Sequence, residues 1–238
     1  MKLTKKTKNV NFMEKSKNVI TGDSKFAIVE GYKIARTNIV FSLSATDSNV
    51  VAVTSWSKGE GKSTATANLA ISFSKMGKRV LLIDNDLRRP NLHNLMKIQN
   101  DNGLSEVIGK FITFDEAVHR DVLPCLDMLT AGAIPPNPSE LLASSNFQNL
   151  LTELKAEYDY VILDTPPISV VADTLLLKDH VAGYVVVVRE KVTTHGDIEK
   201  TIQNITLADS KILGFLKVGC SANNKKYSKG QYGYYRYY

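Results

Sequence analysis

Short apolar runs alternate along this chain with stretches of helical periodicity. Most of the runs end in a charged residue, and continuous apolar runs of this length are typical of strands buried on both faces of a parallel sheet. They are Asn49–Thr54, Val80–Asp84, Tyr158–Asp164, Gly183–Arg189 and, more weakly, Lys211–Val218. The pattern therefore predicts a sheet whose strands are mostly parallel.

Helical periodicity occupies several segments between these runs. Lys62–Met76 follows a glycine-rich turn, Ser139–Glu157 carries leucines and a phenylalanine at helical spacing, and residues 197–208 form a third stretch. Strands and helices that alternate in this way build right-handed βαβ units. The expected fold class is α/β, with a mostly parallel, doubly wound sheet flanked by helices and with ligands bound beyond the carboxyl ends of the strands.

Composition narrows the class of protein. The chain has 238 residues, of which 43% are hydrophobic and 23% charged. These values are ordinary for globular proteins, and they exclude a disordered chain, a collagen-like fibre and a coiled-coil rod. The longest apolar run, Val181–Val188, is far shorter than the roughly 20 residues that span a bilayer. No secretory signal is recognisable, and only Cys125 and Cys220 are present, so we expect a protein of the reducing cytosol.

The formal net charge of +6 is concentrated at the two ends of the chain. Residues 1–25 hold seven lysines against two acids, and residues 225–238 hold four basic residues and no acid. We expect a basic N-terminal tail over residues 1–28, a globular domain over 29–224 and a flexible C-terminal tail over 225–238. Basic ends are compatible with binding to a membrane surface or to an acidic partner, and also with tails that are simply solvated. Because the globular part shows no basic stripe, no nucleic-acid partner is expected.

A glycine-rich motif, SWSKGEGKST over Ser55–Thr64, joins the first predicted strand to the first predicted helix. Glycines let the backbone turn so that successive N–H groups face an anion, and the helix N-terminus adds its dipole. The lysine of such a loop reaches the β- and γ-phosphates and the next hydroxyl ligates Mg²⁺. The motif predicts an ATP and Mg²⁺ site of the P-loop NTPase type, although Trp56 stands where the full pattern has glycine. The residues expected to bind nucleotide are Lys58, Gly59, Glu60, Gly61, Lys62, Ser63 and Thr64.

Two further strands end in carboxylates. In LLIDNDLRRP, Asp84 and Asp86 occupy alternating positions and point the same way, which suits metal binding or a catalytic base. The alternative is that this strand end only caps the next helix. In VILDTPP, Asp164 ends an apolar strand in the Walker B manner, which orients Mg²⁺ or its waters.

Together the three motifs resemble Walker A, Walker A′ and Walker B of the bacterial tyrosine kinases of capsule and exopolysaccharide synthesis. The resemblance implies an ATP-dependent protein-tyrosine kinase that phosphorylates itself. It implies catalytic roles for Lys62, Asp84, Asp86 and Asp164, and magnesium ligation by Ser63, Asp84 and Asp164. A tyrosine hydroxyl, with a pKa near 10, needs a base, and either Asp84 or Asp86 is a candidate.

The C-terminal tail concentrates tyrosines, with six of ten in the last twelve residues. It resembles the tyrosine cluster that these kinases autophosphorylate, and we expect modification in trans between subunits. A base-stacking segment or a sticky low-complexity end are the alternatives. The tyrosines are Tyr227, Tyr232, Tyr234, Tyr235, Tyr237 and Tyr238.

An N-terminal helix is the candidate subunit interface. Glu30, Lys33 and Arg36 resemble the family's Glu-x-x-Arg-x-x-Arg helix, which makes contacts in a homo-oligomeric ring, with an octamer as the candidate size. The alternative is a solvated face of charges three residues apart.

The resemblance also implies partners and a location. It implies a transmembrane adaptor of the polysaccharide co-polymerase type, a counteracting tyrosine phosphatase, and a cytoplasmic protein recruited to the inner face of the cell membrane. Two other functions remain open at this point. One is a Walker-deviant positioning ATPase, whose signature lysine slot holds Ser57 here. The other is a non-catalytic nucleotide switch that docks on the adaptor.

Overall fold

A computed structural model describes residues 19–220, which form one seven-stranded sheet flanked by helices. The sheet order is β3-β4-β2-β5-β1-β6-β7, and every neighbouring pair is parallel except the antiparallel pair β3 and β4. The predicted α/β class is therefore confirmed. The strands are β1 (Val50–Ser55), β2 (Val80–Asp84), β3 (His119–Leu123), β4 (Leu126–Leu129), β5 (Tyr160–Asp164), β6 (Gly183–Arg189) and β7 (Ile212–Val218).

The β3–β4 hairpin was not expected from the sequence. Its outer strand carries His119, Arg120 and Asp121 and is largely solvent-facing, and Asp127 interrupts the inner one. Neither strand therefore forms the continuous apolar run by which the other strands were recognised.

The helices lie on both faces of the sheet. A single helix was expected over Ser139–Glu157, but Ser144 is extended, with φ −70° and ψ 151°, and its hydroxyl accepts the N–H of Phe147 to begin a new helix. Serine favours this capping position over a helix interior. The helices are α1 (Phe26–Leu43), α2 (Lys62–Ser74), α3 (Leu92–Met96), α4 (Leu104–Ile108), α5 (Phe114–Ala117), α6 (Pro138–Ala143), α7 (Ser145–Glu157) and α8 (His195–Leu207), with a 3₁₀ helix over Ala172–Leu177.

Apolar side chains of the sheet alternate between two cores. One core joins residues such as Leu81 and Leu163 to the inner face of α7, and the other joins Leu82 and Ile162 to α2. Helix α2 is buried along most of its length between the sheet and α1. This burial fixes the helix that begins at Lys62, and hence the position of the glycine-rich loop before it.

The chain before α1 also contacts the core. Val19 and Ile20 are buried, and the Ile20 N–H donates to Asn68 Oδ1 at 2.7 Å. Helix α1 begins at Phe26, so the domain limit placed after residue 28 stays a prediction. Across residues 19–220, none of the helices combines the length and the apolar character needed to cross a membrane.

Candidate active site

Parallel pairing brings the three motifs to one edge of the sheet. Strand β5 lies between β1 and β2, and Asp84 is directly opposite Asp164 in the register of β2 and β5. The loop after β1 leads into α2 at the same edge. The carboxyl ends of neighbouring parallel strands are where ligands bind in this class of fold.

The glycine-rich loop, residues 56–61, has the backbone of an anion-binding loop. Gly59 and Gly61 have φ values of 81° and 88°, in the left-handed region that favours glycine. Gly61 is the N-cap of α2, and no side chain caps this helix end. The first N–H groups of the helix are therefore available to an anion, and the helix dipole favours one there.

Lys62 is buried at the base of this loop, with 7% of its surface exposed. Its ammonium lies 2.8 Å from Asp164 Oδ1 and 3.7 Å from Asp86 Oδ2, and it also contacts the Ser63 hydroxyl at 3.4 Å. A buried cation of this kind needs such partners to offset its loss of hydration. The predicted residues Lys62, Ser63, Asp86 and Asp164 therefore meet in one cluster.

Asp164 has one oxygen committed and one free. Its Oδ1 accepts Lys62 and also the Thr66 hydroxyl at 2.9 Å, whereas its fully buried Oδ2 has no hydrogen-bond partner among residues 19–220. An orphaned, buried carboxylate oxygen in the same cluster as Ser63 fits Mg²⁺, which prefers hard oxygen ligands. In the described part of the chain no three His, Cys, Asp or Glu side chains form a metal site by themselves. A bound Mg²⁺ would complete its coordination with phosphate oxygens and water, as is usual for this ion.

Asp84 is already engaged with the backbone. Its Oδ2 accepts the N–H groups of Asn91 and Leu92 at 3.1 and 2.9 Å, at the start of α3. This capping contact is the alternative that the sequence left open for the strand end. Burial, and next the neighbouring Asp164 carboxylate, raise the pKa of Asp84 to about 8. Its role as a metal ligand stays a prediction.

Asp86 faces a surface pocket. Its Oδ1 accepts the Arg89 N–H at 3.1 Å, and burial raises its pKa above the ordinary value while the Lys62 charge opposes that rise. The pocket, of about 300 Å³, combines an apolar wall with several cations. It is lined by Ser57, Lys58, Asp86, Arg88, Arg89, Pro166, Pro167, Val170 and Val171.

Several contributing residues were missed by sequence reasoning. Thr66 is one helical turn beyond Lys62, a spacing that could have indicated it. Arg88 lies within the second motif, and its guanidinium contacts Asp173 Oδ2 at 2.7 Å, while the Ser139 hydroxyl donates to the other Asp173 oxygen at 2.6 Å. Burial alone would raise the pKa of Asp173, but the hydrogen bonds from Arg88 and Ser139 bring it below the ordinary value.

The other predicted residues lie away from this cluster. Lys33 pairs with Glu30 at 2.6 Å within α1, and Arg36 donates to the Ser72 carbonyl at 2.6 Å. Their role in subunit contacts stays a prediction. The C-terminal tyrosines from Tyr227 to Tyr238 lie outside the described residues.

The fold and the site define a nucleotide-binding domain of the P-loop type, and comparison with known proteins agrees. The AAA domain family matches residues 48–214. The kinase domain of the Escherichia coli tyrosine kinase ETK superposes with a TM-score of 0.79 and 31% identity, over 82% of this chain and 76% of that structure.

Curated relatives identify the particular family. The tyrosine-protein kinase YwqD of Bacillus subtilis is 42% identical over 87% of this chain and 85% of the relative. The putative tyrosine-protein kinase CapB of Staphylococcus aureus is 34% identical over 90% and 91%, respectively. This chain belongs to the bacterial tyrosine-protein kinases, which confirms the resemblance and the enzyme class expected from its motifs.

One further structural neighbour is more distant in sequence from this chain. The septum site-determining protein MinD of Pyrococcus horikoshii, solved with Mg-ADP, superposes with a TM-score of 0.59 at 23% identity over 70% of this chain. That likeness shows a shared fold alone.

Proposed function

We propose that this chain transfers the γ-phosphate of ATP to tyrosine hydroxyls, and that its own C-terminal tyrosines are the first acceptors. The observation that supports this most is the buried cluster of Lys62, Asp86 and Asp164 at the phosphate loop. It lies at the edge of a pocket with an apolar wall. Asp86 belongs to both sites, because it contacts Lys62 at the phosphate site and also lines the apolar pocket proposed to hold the acceptor.

On the nucleotide side, the chain contributes positive charge and oriented N–H groups. The N-terminus of α2 receives the phosphates, and Lys62 exchanges its contact with Asp164 for one with the β- and γ-phosphates. Ser63 and the free oxygen of Asp164 are the proposed ligands of Mg²⁺. When bound, this ion neutralises charge on the phosphate oxygens.

On the acceptor side, we assign the base to Asp86. The Asp84 carboxylate is fully buried and accepts three backbone N–H groups, whereas Asp86 lines the pocket. A tyrosine ring packed against Pro166 and Pro167 would place its hydroxyl on the Asp86 side of that pocket. Asp86 then accepts the phenolic proton as the oxygen attacks, a transfer that a positioned carboxylate accelerates by typically about 10²–10⁴-fold.

Membership of this family supports a proposal for the larger setting of the reaction. We propose that the tail tyrosines are modified in trans within a homo-oligomeric ring held through α1, and that the kinase is recruited to the cytoplasmic face of the membrane by a transmembrane adaptor. A tyrosine phosphatase would reverse the reaction, and the output would be control of capsular or exopolysaccharide synthesis.

Intact-mass measurement after incubation with Mg·ATP tests the proposed activity. We expect mass increases of one phosphate group each, lost when residues 227–238 are removed or when Lys62 is replaced by Met. Release of free phosphate with no mass increase would instead indicate an ATPase. Nucleotide binding with neither outcome would indicate a switch.

A further inference from the structure

Glu60 places a carboxylate inside the loop that binds phosphates. It lies between Gly59 and Gly61, and only 1% of its surface is exposed. A buried carboxylate is costly unless its oxygens are hydrogen-bonded, and an acid beside a polyphosphate site adds repulsion. Its contacts show how this cost is offset.

Each oxygen of Glu60 has its own partner, and the two partners come from different loops. Oε2 accepts the Ser57 N–H at 2.9 Å, which closes a turn within the phosphate loop. Oε1 accepts the Thr193 hydroxyl, which belongs to the segment between β6 and α8. Both oxygens are therefore engaged within the protein, and the side chain is buried.

A second link runs parallel to the first. The Arg189 guanidinium donates to the Gly59 carbonyl at 2.9 Å, and the Arg189 N–H donates to the Thr193 hydroxyl at 2.8 Å. Glu60, Arg189 and Thr193 thus form what we call the loop brace, which ties the phosphate loop to the segment after β6. Charge-assisted bonds such as those of Glu60 and Arg189 are stronger than neutral ones.

The loop brace is important in this loop because a glycine lies on each side of Glu60. Glycine loses more conformational freedom on ordering than other residues, and two glycines with positive φ flank Glu60. A loop that is already ordered before binding loses less conformational entropy when it binds its ligand. Holding N–H groups in place before binding is also how electrostatic preorganisation works.

We propose that Glu60 is a positioning residue that, through Thr193, holds the phosphate loop in its nucleotide-binding shape. It acts through the loop backbone and does not itself touch the nucleotide. The proposal rests on the proposed binding of ATP by this loop.

Two pairs of variants test the brace. Glu60→Ala and Thr193→Val remove the link, whereas Glu60→Gln and Thr193→Ser keep it, because a glutamine can still accept from Ser57 and donate to the Thr193 oxygen. We expect the first pair to raise the Kd for Mg·ATP about tenfold, the loss of one hydrogen bond to a charged group. The second pair should stay near the wild-type value. The rise should appear in KM for ATP, with kcat at saturating nucleotide little changed.

The double variant and hydrogen exchange separate a brace from a general structural defect. Because Glu60 and Thr193 share one link, the loss in Glu60→Ala with Thr193→Val should be smaller than the sum of the two single losses. In protein free of nucleotide, loop amides should exchange faster in Thr193→Val than in Thr193→Ser. Equal Kd values for wild type and Thr193→Val, or additive losses in the double variant, would overturn the brace. If wild-type protein itself does not bind Mg·ATP, the proposed function fails instead.

Discussion

At the scale of single residues, Lys62 is the most direct test of the nucleotide site. Lys62→Met removes the cation proposed to contact the β- and γ-phosphates, so we expect autophosphorylation to fall by about 10²-fold or more. The fold should persist, because Asp164 keeps its bond from Thr66. Lys75→Met, an exposed change just beyond the same helix, is the matched control. Phosphotyrosine formation and thermal unfolding are measured for both, and equal activity in the two variants would contradict the assignment.

Asp164 tests the proposed metal ligand. Asp164→Asn keeps the side-chain shape but removes the negative charge. It also places an amide group where the wild-type protein has an unpartnered carboxylate oxygen. We expect turnover to fall by orders of magnitude, roughly several kcal/mol of lost charge stabilisation, and to respond weakly to added Mg²⁺. Asp159→Asn, near the other end of β5 and at a partly exposed site, is the control. A titration of rate against Mg²⁺ that superposes on the wild-type curve would exclude the role.

Sequence alone was sufficient to bring Lys62, Asp86 and Asp164 together, because parallel strands present their carboxyl ends at one edge. The sequence could not show whether the Asp84 carboxylate binds the metal or accepts backbone N–H groups, since both roles suit an aspartate at a strand end. The sequence also could not identify Thr193 as the hydrogen-bond partner of Glu60, because Thr193 is distant in sequence and belongs to no recognisable motif.

At the scale of elements, the buried strands were predictable and the edge hairpin was not. Runs such as Val80–Asp84 are apolar because both of their faces are covered, which makes the pattern unmistakable. An edge strand such as β3 faces solvent with charged residues, and its pairing depends on β4 rather than on its own pattern. The break at Ser144 was missed for a similar reason, because apolar spacing continues across it and only the backbone turn reveals the new helix.

The link between Arg88 and Asp173 joins two elements, the loop after β2 and the 3₁₀ helix. Because the pKa of Asp173 is lower in the folded protein than in an unfolded chain, its ionised form stabilises the fold above the unfolded pKa of about 4. That contribution disappears as the pH falls through the lowered folded value. Asp173→Asn should therefore reduce the free energy of unfolding at pH 7 by about 2 kcal/mol, with a smaller difference in acid.

Chemical denaturation at several pH values measures this difference. The control is Asp115→Asn, which removes the charge of an exposed carboxylate that contacts Arg120 and should cost less than about 1 kcal/mol. A loss for Asp173→Asn that is the same at pH 3 and pH 7 would show that ionisation of Asp173 does not stabilise the fold.

At the scale of the whole molecule, charge separates the ends of the chain from its body. The terminal segments are basic, whereas the body between them is slightly acidic and gathers Asp84, Asp86 and Asp164 around Lys62. We expect a basic tail to be attracted to the phosphates of ATP bound at this site, in its own chain or in a neighbour. Phosphates on the tail, at about −1.5 to −2 charge each, would reverse that attraction.

We predict that phosphorylation proceeds in trans, between neighbouring chains, and that this reversal of charge then loosens the assembly. The experiment mixes Lys62→Met chains that keep their tail with active chains that lack residues 227–238, so that neither chain can label itself. We expect phosphate on the Lys62→Met chain in the presence of Mg·ATP, and light scattering should show large particles shrinking as it accumulates. Mixing with truncated chains that also carry Lys62→Met is the control and should give no label. If the tailed chain stays unmodified while full-length protein labels itself at a rate independent of concentration, each chain phosphorylates its own tail and the tail does not bridge subunits.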